Sequence, residues 1–317
     1  MTYLLNIIVL LHLIPAWIHQ AEEKRDFEYY RNLNDSESRL PEFKDSDDAL
    51  KIKLVQLDLI NKSRRKFKAK PVELDILASR VANRSCREAA ENGYISHWNM
   101  SGEKPYQRYA FAGGYDHFSE NVFGEWTTGT YENSAVSVLE KMKSGHLSFM
   151  SERAPADGHK KNIVNKSHNL VGIGFALTEN QFRYSEEFID RYLDFYDIPG
   201  SAKPGERISV TFSCIGNYYP YYLIIYRDEF PRPRSTKELD KTGSYPDYSN
   251  EEYLVLPAWE ISRYRNDGKY KIPLSFRKEG LYYIHIFTDE KEITTPQKIS
   301  TKGKDSCSGI VISVGSY

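Results

Sequence analysis

Two histidines and two glutamates in the middle of the chain could do chemistry together, and each lies in a distinctive short context. The contexts are Ile95-Ser96-His97-Trp98, Ser119-Glu120-Asn121-Val122, Met150-Ser151-Glu152 and Gly158-His159-Lys160-Lys161-Asn162-Ile163. Two neutral imidazoles can bind a divalent metal ion, and a carboxylate can orient an imidazole or accept a proton from a bound water. The same groups could run acid–base chemistry or lock a cleft by hydrogen bonds. These three interpretations stay open at this point.

Helices and strands must position these residues, because the four lie on separate segments. A helical stripe of apolar residues follows Pro71, and Asn92-Gly93 ends it, so His97 falls at a helix exit. Residues 120–126 are predicted as a strand that contains Glu120, and residues 134–150 as a helix ahead of Glu152. Glycines alternate with apolar residues over 171–176, which predicts a strand packed closely against another element. The pattern predicts an α+β fold with helices flanking an antiparallel sheet.

The pattern changes to β-like after two Pro-Gly pairs, Pro199-Gly200 and Pro204-Gly205. Short alternating segments follow, and Asn266-Asp267-Gly268 predicts a hairpin turn. We therefore predict an all-β accessory domain over 198–317, a sandwich of the immunoglobulin or fibronectin kind. It is rich in tyrosine, and an exposed row of rings would favour glycan or protein binding, whereas ordinary sheet packing would bury them. The tyrosines are Tyr218, Tyr219, Tyr221, Tyr222, Tyr226, Tyr245, Tyr248 and Tyr253.

The N-terminus predicts export. An apolar run from Leu4 to Ile14 is too short to span a bilayer comfortably and is typical of a secretory signal peptide, with cleavage after Ala16 or Ala21. An uncleaved anchor is the alternative. We assign residues 1–21 to the signal and the charge-rich residues 22–47 to a flexible linker. The mature protein is then secreted or held at the cell surface, with no stable transmembrane segment.

Charge and cysteine content exclude some functions. The 317 residues include 43 Lys and Arg against 44 Asp and Glu, which gives a net charge of -1. Because the basic residues form no long block, we expect no nucleic-acid partner. Three cysteines are too few for a disulfide scaffold. A bridge between Cys214 and Cys307 and two free thiols are both compatible with the sequence.

Residues 48–197 contain a series of short motifs in a fixed order. They are Leu59-Ile60-Asn61 with Arg64, Pro71-Val72 with Asp75, Ser96-His97, Lys104-Pro105-Tyr106 with Arg108, Ser119-Glu120-Asn121-Val122, Gly158-His159 with Asn162-Ile163, and Val171-Gly172-Ile173-Gly174. Together they resemble the CAP superfamily, which includes cysteine-rich secretory proteins, wasp antigen 5 and plant pathogenesis-related proteins. The resemblance implies an α-β-α sandwich, and the low cysteine content is similar to the bacterial members.

The resemblance also implies a cleft with two His and two Glu. Its motifs match His97, Glu120 and His159, and Glu152 suits the family's order for the second glutamate better than Glu140. We predict His97 and His159 as the ligands of any divalent ion, with Zn²⁺ as the candidate. A purely structural cluster of hydrogen bonds is the simpler alternative.

These features predict a secreted CAP-domain protein that binds an extracellular ligand, which could be a protein, a glycan or a lipid. Family members imply two further functions, a metal-assisted peptidase-like hydrolase and a lipid- or sterol-binding protein. Ser96 and Ser119 lie next to cleft residues in sequence, but neighbours along a strand or loop point apart, and the chain has no Gly-x-Ser-x-Gly elbow. Whether the protein is an enzyme is left open, with catalysis ranked last.

Overall fold

The computed structural model of the protein describes residues 25–245, 251–304 and 306–315. The predicted signal peptide, residues 1–21, lies outside the described residues. Within the described ranges, no helix combines the length and the apolar character needed to cross a bilayer.

Helices dominate the first half of the described chain and strands the second. The helices are α1 Phe27–Ser36, α2 Asp47–Lys66, α3 Ile76–Asn92, α4 Pro105–Phe111, α5 Ala135–Ser151, α6 Gly158–Val164, α7 Thr236–Leu239 and α8 Ala258–Ile261, with 3₁₀ turns at Pro41–Phe43 and Ser262–Tyr264. The strands are β1 Glu73–Leu74, β2 His117–Trp126, β3 Leu170–Leu177, β4 Gln181–Asp190, β5 Leu193–Tyr196, β6 Ser201–Ala202, β7 Arg207–Cys214, β8 Tyr219–Asp228, β9 Glu251–Pro257, β10 Arg265–Asn266, β11 Lys269–Ser275, β12 Gly280–Asp289 and β13 Ile310–Val314.

The first sheet has the order β1-β3-β4-β2 and lies between two layers of helices. Strands β2, β3 and β4 pair antiparallel, and only the short β1 pairs parallel. Alternate residues of β4 face opposite sides: Tyr184 and Phe188 pack with residues of α2 and α5, whereas Ile189 packs with residues of α3. The region is therefore a mixed α+β fold layered as α-β-α, and β2 is an edge strand.

Two glycines let β3 approach α3 closely. A Cβ atom added at Gly172 would lie 2.5 Å from the Cβ of Ala78, and one added at Gly174 would collide with Ala82. The alternation of glycine along this strand is thus required by the contact with the helix, as the sequence pattern predicts. This packing fixes α3, whose end delivers His97.

The assignment of residues 27–36 to a flexible linker is wrong. They form helix α1, which Asp26 caps by accepting a hydrogen bond from the Tyr29 N–H at 2.9 Å. Tyr30 is buried in the core beside α2, and the buried Asn34 side chain donates to the Asp45 carbonyl at 2.9 Å. The charged composition of this segment gives no apolar stripe that would indicate a helix, because only one residue per helical turn is buried.

The second half of the chain contains two further sheets, with the orders β10-β11-β7-β5 and β6-β13-β12-β8-β9. They share one hydrophobic cluster, to which β7 contributes Val210 and Phe212, and β12 contributes Ile284 and Ile286. The first of these strands, β5, pairs with β7 although it lies before the predicted boundary at residue 198. The boundary itself stays a prediction.

The two halves share a core. Buried residues of α3, α4 and β2 form one cluster with Leu281, Tyr283 and Val311 of the second half. The ring of Tyr283 stacks on that of Tyr106, with centroids 4.2 Å apart and planes 8° apart. Across the same contact, Lys104 Nζ lies 3.0 Å from an oxygen of Asp228.

The cysteines and tyrosines of the second half are mostly internal. All three cysteines of the chain are free thiols, so Cys214 and Cys307 do not pair. Tyr221 is buried, and Tyr253 is exposed but packs edge-on against Tyr282. Tyr248 lies outside the described residues. Packing between and against the sheets therefore accounts for Tyr221 and Tyr253.

Candidate functional site

His97 and Glu120 form one half of the site. Gly93 ends α3 in the left-handed conformation (φ 73°), which turns the chain toward His97. The Nδ1 atom of His97 lies 2.9 Å from Oε1 of Glu120, which projects from the middle of β2. Arg108 holds this pair from α4, because its Nη1 donates to the His97 carbonyl at 2.7 Å and its Nη2 donates to Oε2 of Glu120 at 2.6 Å.

His159 and Glu152 form the other half. Glu152 is the residue that ends α5, and His159 lies in the first turn of α6. The His159 Nδ1 atom is 2.5 Å from Oε1 of Glu152, whose Oε2 accepts the His159 N–H at 3.0 Å. Glu140, the alternative in the sequence, is exposed on α5. The structure thus places Glu152, and not Glu140, beside the second histidine.

The two pairs meet at the edge of the sheet. The ring centroids of His97 and His159 are 6.3 Å apart, with planes inclined by 36°. In both rings the Nδ1 atom contacts a carboxylate, while no residue in the described ranges hydrogen-bonds either Nε2 atom. The four predicted residues are therefore gathered in one place, with two imidazole nitrogens left for a ligand.

Glu120 has a second carboxyl as its neighbour. Glu187 lies opposite Glu120 in the β2–β4 register, and both side chains are buried. Burial, together with the charge of Glu120, raises the pKa of Glu187 well above its ordinary value. Burial acts upward on the pKa of Glu120 as well, but Arg108 and His97 outweigh it and hold that pKa below its ordinary value. The surroundings therefore favour the neutral form of Glu187 and the ionised form of Glu120.

Neither serine beside the cleft residues is aimed at a histidine. The Ser96 hydroxyl lies 3.1 Å from Oγ1 of Thr242, and the Ser119 hydroxyl donates to Oδ1 of Asn162 at 2.8 Å. The arrangement gives no serine nucleophile activated by His97 or His159.

The other histidines of the described ranges are held inside the fold. His146 is buried between Glu186, 2.7 Å from its Nδ1, and Ser63, 2.8 Å from its Nε2. His117 and His168 both contact Asp190 through Nδ1, at 3.0 and 2.6 Å. These contacts tie strands and helices of the domain together.

Sequence reasoning missed Tyr245 as a residue of the site, as it missed Glu187. Tyr245 belongs to the second half of the chain, and its hydroxyl accepts the Glu120 N–H at 3.2 Å. Its ring packs edge-on against His97, with centroids 5.1 Å apart. Its only signal in the sequence is its place in a tyrosine-rich region, which does not point to a contact 125 positions away.

The donor set suits a loosely bound metal ion. A carboxylate on Nδ1 fixes the tautomer of each imidazole and makes its Nε2 a better ligand, which is the arrangement found around protein-bound zinc. Tetrahedral coordination would bring the two ring centroids to roughly 5 Å, slightly closer than they are here. No cluster of three or more metal-binding side chains occurs in the described part of the chain. His97 and His159 could therefore supply two ligands, with the others coming from water or a bound molecule.

Comparison with known proteins gives the same picture of the fold. Residues 57–188 match the model of the CAP family, described as the cysteine-rich secretory protein family. No curated protein matches the chain.

Three solved structures similar to part of the chain come from bacteria. An extracellular protein from Bacillus anthracis that contains an SCP domain is 19% identical, with 44% of this chain and 40% of that chain covered and a TM-score of 0.33. An outer surface protein of Borrelia burgdorferi is 17% identical, with 44% and 93% covered and a TM-score of 0.36. A cysteine-rich secretory protein of Staphylococcus aureus is 16% identical, with 44% and 38% covered and a TM-score of 0.29. This chain thus spans less than half the length of the first and third structures.

Residues 57–188 contain the α-β-α layers and the paired histidines and glutamates at the edge of the sheet. This part of the chain matches the CAP family.

Proposed function

We propose that the protein binds an extracellular ligand through the CAP cleft and that a divalent metal ion, Zn²⁺ being the candidate, is held there by Nε2 of His97 and of His159. The observation that carries this proposal is that the two ring centroids lie 6.3 Å apart while both Nδ1 atoms contact carboxylates, so that Nε2 is the nitrogen left in each ring. Two protein ligands leave coordination positions for the ligand itself.

The residues around the ion have separable tasks in this proposal. Glu120 and Glu152 orient the imidazoles, and Arg108 holds Glu120 in its ionised form. A bound zinc ion would supply a Lewis acid and lower the pKa of a coordinated water. Ligand binding is the better supported role, because the nearby serine hydroxyls are directed to Thr242 and Asn162.

Calorimetric titration of the metal-free protein with Zn²⁺ tests the proposal. We expect one site, a loss of affinity of at least tenfold in His97→Ala and in His159→Ala, and no change in His117→Ala, whose ring contacts Asp190 instead. Equal affinity in all four proteins would contradict metal binding by the cleft.

We further propose that β5–β13 form an immunoglobulin-type sandwich that serves as an accessory domain. The support is the strand order of the two sheets: with β5, β7, β8, β9, β10, β11, β12 and β13 taken as A, B, C, C′, D, E, F and G, the sheets read D-E-B-A and G-F-C-C′. The parallel pairing of β6 with β13 extends the second sheet. Together with the signal predicted at the N-terminus, this favours a protein that acts outside the cell or at its surface. Comparing the culture medium with the cell fraction by immunoblot checks that location.

A further inference from the structure

We propose that residues 229–245, here called the β8–β9 segment, form a fixed wall of the CAP cleft and that Tyr245 is a positioning residue for the His97–Glu120 pair. This inference rests on the proposed metal-binding function for its consequence, but its geometric basis is independent of any metal. The second half of the chain then borders the cleft beside the His97–Glu120 pair.

The β8–β9 segment is anchored along the loop that carries His97. The Arg234 N–H donates to the Met100 carbonyl at 2.8 Å, and the Arg234 guanidinium lies 5.0 Å from the ring centroid of Trp98. Leu239 is fully buried in a cluster with Trp98 and other residues at the end of α3. The segment therefore packs on the loop through both polar and apolar contacts.

The loop that carries His97 also approaches the β8–β9 segment closely at Gly102 and Ser96. A Cβ atom at Gly102 would collide with the Arg232 carbonyl, and Gly102 also has a positive φ of 79°. The Thr242 hydroxyl meets the Ser96 hydroxyl at 3.1 Å, one residue before His97. The loop and the β8–β9 segment are thus fitted to each other on either side of the histidine.

Tyr245 reaches the cleft residues themselves. Its ring contacts those of His97, Trp98 and Tyr106, with centroids 5.1, 6.0 and 6.4 Å away. Its hydroxyl accepts the backbone N–H of Glu120, which is on the edge strand of the sheet. One side chain therefore touches both members of the first pair.

The His97–Glu120 pair, which lies beside Tyr245, is less exposed than the His159–Glu152 pair. The side chains of His97 and Glu120 are 15% and 0% exposed, whereas those of His159 and Glu152 are 31% and 23% exposed. Because the first pair is enclosed on the Tyr245 side, its imidazole has fewer orientations available than that of His159. Pre-organisation of this kind lowers the entropic cost of binding.

Imidazole ¹⁵N spectra and Zn²⁺ titration of the full chain, in wild type, Tyr245→Phe and Tyr245→Ala, test the inference. We expect Tyr245→Ala to change the His97 signals, which report its tautomer, to leave the His159 signals unchanged, and to weaken Zn²⁺ binding about tenfold. Tyr245→Phe keeps the ring and should give a smaller change. Tyr264→Ala, at an exposed tyrosine, is the matched control.

The possible outcomes separate the two proposals. If wild type binds no Zn²⁺ but Tyr245→Ala changes the His97 signals alone, metal binding fails and the positioning role stands. Unchanged His97 signals in both variants would overturn the positioning role of Tyr245, regardless of the Zn²⁺ affinity measured. Should Tyr245→Ala unfold, Tyr245→Phe decides: altered His97 signals support the inference, and wild-type signals overturn it.

Discussion

Each histidine of the cleft has one ring nitrogen bound to a carboxylate, and this sets what single substitutions should do. Glu120 is buried and shared with Arg108, whereas Glu152 is partly exposed and also accepts backbone N–H groups of α6. Loss of a carboxylate that orients a metal-binding imidazole costs roughly 10–100-fold in affinity.

We expect Glu152→Gln to lower the Zn²⁺ affinity of the cleft about tenfold. The amide can still accept one hydrogen bond, but it lacks the charge that makes the His159 imidazole a stronger ligand. Calorimetric titration measures the effect, and Glu140→Gln on the exposed face of α5 is the control. Equal losses in both variants would mean that the effect is unrelated to contact with His159.

The protonated carboxyl of Glu187 predicts a pH dependence of stability. Its pKa is raised in the folded state, so its contribution is complete below the ordinary value of 4.5 and is lost as the pH rises toward the raised value. Glu187→Gln should not lose stability in this way as the pH rises, because a neutral amide has no proton to release.

Melting curves between about pH 4 and pH 8 check this expectation. The Tm of Glu187→Gln minus that of wild type should increase with pH, at about 2–4 °C for each kcal/mol regained. A difference that stays constant over this range would show that Glu187 is ionised at neutral pH, and Glu140→Gln should show no trend.

Short motifs were sufficient to find three of the four clustered residues. His97, Glu120 and His159 each lie in a context of three or four residues that can be recognised without a structure. The choice of Glu152 depends on how the loop after α5 turns back, and the role of Glu187 depends on burial. Neither property is encoded in the neighbouring sequence.

Among the elements, α3 and β3 form the contact on which the position of His97 depends. Because Gly172 and Gly174 bring the strand against Ala78 and Ala82, the helix has no room to shift. Close packing of this kind makes added volume costly.

Gly172→Ala should lower the free energy of unfolding by about 1–3 kcal/mol, because its Cβ would overlap that of Ala78. Urea denaturation measures this loss. Gly200→Ala is the control, since no atom lies within 4 Å of a Cβ at that position. Comparable losses in the two variants would show that a general cost of replacing glycine, and not the α3 contact, is responsible.

Elements with a strong periodic pattern were predictable, and the weakly patterned ones were not. The alternation of glycine in β3 and the capped helix α3 correspond to the structure, since local sequence decides both. Helix α1 was missed because its burial rests on Tyr30 and Asn34 within a charged segment. Tertiary contacts, and not local propensity, give that helix its stability.

At the scale of the whole molecule, the CAP domain and the second half share one hydrophobic cluster. Tyr106 and Tyr283 stack at its centre, and Lys104 contacts Asp228 beside it. Continuous apolar burial across a boundary couples the unfolding of the two sides.

We expect one calorimetric unfolding transition for wild type and two for Tyr283→Ala. Truncating this buried ring should cost about 3 kcal/mol at the contact and uncouple the two sides. Differential scanning calorimetry distinguishes the cases, with Tyr264→Ala as the surface control. Two transitions already in wild type would contradict the coupling.

The global arrangement was the least predictable level. The sequence predicts a β-rich second half, but the contact of Tyr245 with His97 joins residues separated by well over a hundred positions. Contacts of this kind arise from how two packed bodies fit, which no local pattern records.

The three free thiols have a consequence for where the chain can fold. Burial raises the pKa of each, at Cys86, Cys214 and Cys307, to about 12, so the reactive thiolate is scarce at neutral pH. Because the chain contains no other cysteine, its native state needs no oxidant and no disulfide isomerase. The same fold is accessible in reducing and in oxidising surroundings.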